Sequence, residues 1–174
     1  MRRYDLTAEM YERRYTEEQK AKYKAALKTL NVTGKRVLDV GCGTGLLFSH
    51  VAAEAKTVVG VDVSIKLLRQ AKKRAQEFRN VHLVQADADH MPFKNNHFNI
   101  VFAFTVLQNL PKPLETLREI KLNAQQTASI VVTGLKKVFS LEAFQELLRD
   151  AGLQVVSLKD DAPLKCYVAV THRN

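Results

Sequence analysis

No stretch of this chain restricts its possible folds more than Val37 to Gly45, which reads VLDVGCGTG. Val37, Leu38 and Val40 make a β-branched and aliphatic run suited to a strand buried on both faces, and Gly41, Gly43 and Gly45 follow at once. The chain must pass from a buried strand into a tight turn. Beyond it, LLFSHVAAEA carries Leu46, Leu47, His50, Val51 and Glu54 at helical spacing, which predicts a helix packed back on the strand. A turn without Cβ atoms lets a ligand lie against the backbone beside the first amides of that helix.

A dinucleotide-binding turn needs G-x-G-x-x-G, with a third glycine for close packing around a pyrophosphate. Leu46 stands in that third place, and Asp39 precedes the glycines inside the end of the strand. A carboxylate there opposes a phosphate and suits a cation. The G-x-G-x-G pattern with its preceding aspartate resembles motif I of the class I S-adenosylmethionine (SAM) dependent methyltransferases. The resemblance implies that Asp39 helps to hold the amino-acid end of SAM; taken alone, the glycines fit a purely structural turn equally well. TVVGVDVS then predicts a strand ending at Asp62, 17 residues beyond Gly45 and near the spacing of about 20 expected for an acidic residue that takes both ribose hydroxyls. Ser64 caps a following helix, Ile65 to about Phe78, with Leu67, Leu68, Ala71 and Ala75 on its buried side.

Upstream, Thr16 and Gln19 have capping-box spacing, which predicts a helix from Glu17 to about Leu30. Tyr23, Ala26, Leu27 and Leu30 form its apolar side, Lys20, Lys24 and Lys28 line another, and Glu18 pairs with Lys22. Tyr4, Tyr11 and Tyr15 lie in the arm. The resemblance implies that a tyrosine here, Tyr11, closes over the methionine part of SAM; anchoring of the arm is the plain alternative.

Asn80 ends the helix after Ser64, and VHLVQADA predicts a third strand. In the family, an aspartate after this strand accepts from the adenine amino group and the next backbone N–H reaches the ring; Asp87 and Ala88 hold those places. Asp89 and His90 fall at variable positions and are expected at the surface. FNIVFAFTVLQNLP reads as an apolar fourth strand entering a loop, so the resemblance makes Phe104, Thr105, Gln108 and Asn109 candidates to line the methyl group and substrate. The cofactor set it implies is Tyr11, Asp39, Gly41, Gly43, Gly45, Asp62, Val63, Asp87, Ala88 and Phe104; Thr105, Gln108 and Asn109 are the catalytic candidates. Neither Asn-Pro-Pro-Tyr nor Asp-Pro-Pro-Tyr is present, which disfavours adenine-N6 and glutamine methylation, and Phe98 with Asn99 is expected to be structural.

Leu114 to Asn123 predicts a helix, SIVVTGL a fifth strand, Ser140 the cap of LEAFQELLRDAG, and LQVVSLK with KCYVAVT an antiparallel hairpin. The expected fold is a Rossmann-like α/β three-layer sandwich whose seven-stranded, mostly parallel sheet ends in that hairpin. Its 174 residues suit one domain, with residues 1–33 as a helical arm and 34–174 as the SAM-binding core.

The net charge of +9 makes an acidic partner plausible, and residues 66–79 hold Lys66, Arg69, Lys72, Lys73, Arg74 and Arg79 against Glu77 alone. A solvated helix face and a nucleic-acid footprint both fit. The histidines show no HxxxH spacing, so no metal site is expected, and two cysteines suit a reduced, cytoplasmic setting. No apolar run reaches about 18 residues, so no membrane span is expected. With the very short LKKVF connection leaving no substrate lid, the first expectation is methylation of RNA or a translation-related macromolecule. The alternatives are a small-molecule acceptor, or a SAM-binding subunit that needs a second chain. VHLV at a sheet edge invites strand addition, and the resemblance allows a small zinc-binding activator protein there. No general base stands out.

Overall fold

The computed structural model describes residues 16–162 and 164–173. Residues 16–27 form helix α1. There follow β1 (Arg36–Val40), α2 (Phe48–Val51), β2 (Thr57–Asp62), α3 (Ile65–Ala75), β3 (Val81–Gln85), β4 (Phe98–Ala103), a single 3-10 turn (Leu107–Asn109), α4 (Pro113–Asn123), β5 (Ala124–Leu135), α5 (Leu141–Asp150), β6 (Leu153–Lys159) and β7 (Cys166–Arg173). The sheet runs β3-β2-β1-β4-β5-β7-β6, parallel through β5, with β7 antiparallel to both its neighbours. Order reverses between β1 and β4, and the crevice outside the carboxyl ends of those strands is where such sheets place ligands.

Both faces of β1 and β4 are covered, as their unbroken apolar runs require. Tyr23, Ala26, Phe48, Val51, Leu68 and Ala71 from α1, α2 and α3 pack on one face of the sheet. Leu117, Ile120, Phe144 and Leu148 from α4 and α5 pack on the other. Ser64 and Ser140 cap α3 and α5 as expected, accepting from the Leu67 and Ala143 amides. Asn99 is structural: its side chain accepts from the Arg36 amide and bonds Gln125 beside the irregularity that separates Phe98 from Ile100 in the ladder to β5.

Three local expectations change. The helix expected over LLFSHVAAEA shrinks to Phe48–Val51, because the Asn80 amide donates to the carbonyls of Ala52 and Ala55 at 2.8 Å each and turns the chain toward β2. The fifth strand begins at Ala124, directly as α4 ends, and so includes the polar AQQT. Thr16 is already helical, and Gln19 faces β4 instead of closing a capping box. β3 lies at a sheet edge, as expected, and β6 at the other. Among the described residues, no helix is long and apolar enough to cross a membrane.

Candidate active site

Two adjoining cavities open at the carboxyl ends of β1 to β4, each of about 330 Å³ and sharing the Gly41 backbone as a wall. Gln19, Tyr23, Asp39, Gly43, Leu67 and Phe104 line the first. Asp62, Val63, Asp87, Ala88, Thr105 and Asn109 line the second. Most of the residues singled out in the sequence therefore converge. Gly45 packs behind the turn against Phe48, Gln108 lines neither cavity and keeps a buried Oε1 without a hydrogen-bond partner, and Tyr11 lies outside the described residues.

Asp39 is the electrostatic centre of the first cavity. It is 4% exposed, and burial, with the nearby Asp62 charge, pushes its carboxyl up to about 8. A carboxyl held in this state gains most from a cationic ligand. Tyr23 meets Phe104 edge-on at 4.8 Å between centroids, so aromatic surface completes the wall. Among the described residues, no Lys, Arg or His lines either cavity.

Asp62 organises the boundary. One carboxylate oxygen accepts from the Gly43 amide at 2.9 Å and the other from the Ser64 amide at 2.8 Å, locking the glycine turn to the start of α3. Arg74, counted in the sequence with the basic helix face, instead donates to the Thr44 carbonyl at 2.8 Å and clamps the same turn. Val63, 68% exposed, offers an apolar surface beside Asp62 and Asp87 in the second cavity. Asp89, expected at the surface, also lines this cavity, because its carboxylate accepts from the hydroxyl of Thr116, buried on α4. His90 is exposed as expected.

Thr105 adopts φ 62°, a left-handed conformation that a β-branched residue keeps only when its surroundings over-determine it. Its amide donates to Thr133 Oγ1 at 2.7 Å, and its carbonyl accepts from Asn109 Nδ2 at 3.0 Å. Its hydroxyl receives α1: Gln19 Nε2 lies at 3.0 Å and Lys22 Nζ at 3.1 Å. Gln19, Lys22 and Tyr23 were not legible as site residues. Lys22 reads as a solvated partner of Glu18, and its ion pair does form at 3.0 Å, but with the lysine side chain 1% exposed.

The residues fit SAM on both sides: a buried carboxyl that favours a cation, and acceptors beside an exposed apolar side chain for a nucleoside. Comparison with known proteins agrees. Residues 31–160 match a family model described as a methyltransferase domain. The demethylmenaquinone methyltransferase of Staphylococcus saprophyticus is 35% identical over 108 residues, which cover 60% of this chain and 46% of that protein. The chain thus spans about half the length of the curated relatives it matches. A SAM dependent methyltransferase from Aquifex aeolicus superposes with a TM-score of 0.77 at 21% identity, covering 86% of this chain and 88% of its own. A chain of the complex between the Haloferax volcanii Trm112 methyltransferase activator and a methyltransferase superposes with a TM-score of 0.74 at 17% identity, covering 86% and 87%. The chain belongs to the methyltransferase domain family and has the fold of the class I SAM-dependent methyltransferases.

Proposed function

We propose that this chain is a SAM-dependent methyltransferase whose acceptor is a small molecule. One observation carries the choice of acceptor: α1 lays Gln19 and Tyr23 against the first cavity, while no cationic side chain among the described residues lines either cavity. A site so covered and so poor in positive charge suits a small, weakly acidic acceptor better than a polyanion. The demethylmenaquinone methyltransferase similarity points the same way, toward a quinol-like aromatic.

In this reading Asp39 holds the cationic end of SAM, the backbone from Gly41 to Gly45 lies along it, and Asp62 takes the ribose hydroxyls. Val63, Asp87 and Ala88 hold the adenine, Phe104 faces the methyl-bearing region, and Tyr11, outside the described residues, is the proposed cover over the methionine part. When bound, SAM supplies an electrophilic methyl on a sulfonium with a good leaving group. The chain's own task is positioning, which can contribute on the order of 7 to 11 kcal/mol. Thr105 and Asn109 line the same cavity as Val63, Asp87 and Ala88, and Gln108 lines neither cavity.

Asp39 makes cofactor binding pH-dependent. Its folded carboxyl titrates near 8 against an ordinary 3.8, so Asp39 stabilises the free protein most below pH 4, and that contribution is lost as pH rises to 8. Binding a cation lowers that value, so a proton is released at pH values between the bound and the free titration points. SAM affinity should therefore rise about tenfold per pH unit between pH 6 and 7.5. Calorimetry at pH 6.5 in buffers of different ionisation enthalpy should show close to one proton released, and none for Asp39→Asn.

RNA methylation with an activator subunit is the second reading, favoured by a different surface. Lys66, Arg69, Lys72 and Lys73 are exposed on α3, next to the open edge of β3. Incubation with radiolabelled SAM and cell extract separates the two readings. The small-molecule reading predicts label in the fraction that survives ribonuclease and protease; ribonuclease-sensitive label would replace it with the RNA reading.

A further inference from the structure

A third cavity, of about 410 Å³, lies at the opposite end of the sheet from the cofactor site. Its walls come from the last turns of α4 (Arg118, Lys121 and Leu122), the turn from α5 into β6 (Asp150, Ala151 and Gly152) and Arg173 at the end of β7. Because β7 runs antiparallel to β5, its end lies beside the start of the parallel strands: Arg173 Nη1 donates to the carbonyl of Ala124, the first residue of β5, at 2.6 Å. The two cavities of the cofactor site open where those strands finish, and they share no lining residue with this one.

Three cationic side chains surround the space against the single carboxylate of Asp150, a surplus of two positive charges. Among the described residues, none of these four side chains forms an ion pair. Part of the surplus has a local reason. The carbonyl ends of α4 and α5 both reach the cavity, and two helix C-termini offset roughly one charge, which leaves about one unbalanced. Arg173 stands on a strand and has no such reason. Asn96 Oδ1 and the Ala124 carbonyl, each at 2.6 Å, hold its Nη1 and fix the guanidinium, while its buried Nε has no acceptor among the described residues. Lys121 is placed by packing: its Nζ lies in the space that a Cβ on Gly152 would fill, so the glycine lets the ammonium settle against the turn.

We propose that this cavity is a second ligand site, which binds the phosphate group of a small organic phosphate through Arg118, Lys121 and Arg173. The guanidinium groups offer planar paired donors and the ammonium a point charge, a combination that suits a compact dianion. The volume falls in the range of small-molecule sites, and Leu122, 47% exposed, supplies with Ala151 an apolar ground for the organic part. A concave site suits such a ligand better than a nucleic-acid backbone, for which the exposed basic row on α3 is the better match. The site does not rest on the methyltransferase reading.

The test titrates phenyl phosphate into the full chain at about 0.15 M ionic strength and follows the backbone amides by NMR. Saturable shifts centred on Lys121, Gly152 and Arg173, with a Kd below about 1 mM, are the expected result. Benzyl alcohol, which keeps the ring and lacks the charge, should shift none of them. Arg118→Gln combined with Lys121→Gln should weaken binding at least about tenfold, and Arg118→Gln alone, an exposed position, about threefold even if the double variant folds poorly. Lys72→Gln with Lys73→Gln, on α3, should leave the affinity unchanged. No saturable shift, shifts centred on α3 or on the cofactor site, an equal response to benzyl alcohol, or undiminished affinity in the Arg118 variants overturns the proposal.

Discussion

Asp62→Ala should weaken SAM binding by a factor of about 10² to 10⁴ while leaving the protein folded. The side chain makes two hydrogen bonds to backbone amides, Gly43 at 2.9 Å and Ser64 at 2.8 Å, and each bond to a charged acceptor is worth roughly 1.5 to 3 kcal/mol. Without them the glycine turn loses its tie to α3, and the proposed ribose acceptor is gone. Asp62 is only partly buried, and the strands beneath it keep their pairing, so the loss falls on binding rather than on the fold. Asp62→Asn, which preserves one carbonyl acceptor, should lose less. Titration calorimetry reads the affinity and circular dichroism the fold; an Asp62→Ala protein that binds SAM normally would remove Asp62 from the site.

The second large effect divides one motif into two roles. Gly43 and Gly45 both have left-handed backbones, φ 55° and 78°. A Cβ on Gly43 meets nothing within 4 Å, since it points into the first cavity. A Cβ on Gly45 falls 2.4 Å from Cε2 of Phe48, a ring with no exposure to solvent. Gly43→Val should therefore cost stability only through backbone strain, roughly 2 kcal/mol, yet abolish SAM binding by filling its space. Gly45→Ala adds overpacking of about 1 to 3 kcal/mol to similar strain, and should lower the melting temperature sharply. Thermal unfolding of both variants beside calorimetry checks this. A Gly43→Val protein that still binds SAM, or a Gly45→Ala protein as stable as the wild type, would contradict the assignment of roles.

What could be read in advance follows from how local its cause is. The strands of VLDV and FNIVFA are legible because each is a continuous apolar run between turn signals, and the caps at Ser64 and Ser140 because capping is decided within four residues. Asp39, Gly43 and Asp62 are legible because their chemistry depends on where a strand ends. By contrast, α2 is short because of Asn80, a residue on the far side of β2 and α3. Lys22 and Gln19 look like ordinary members of a charged amphipathic helix; only the docking of α1 on the end of β4 turns them inward to Thr105. Arg74 and Asp89 likewise owe their roles to partners far along the chain, the Thr44 carbonyl and Thr116. The acceptor is the least legible feature: net charge suggests nucleic acid, while exposed basic side chains stand on α3 and no cationic side chain among the described residues lines either cavity of the cofactor site, and a sequence does not tell which of the two surfaces meets the acceptor.

The central claim is that the crevice over β1, β2 and β4 is a SAM site governed by Asp39 and Asp62. Calorimetric titration of SAM into the wild type and Asp62→Ala, side by side at pH 7.5, tests it most directly. A one-to-one complex in the wild type that is lost or weakened at least 100-fold in the variant is the predicted result. No binding by the folded wild type, or equal affinity in both proteins, would contradict it.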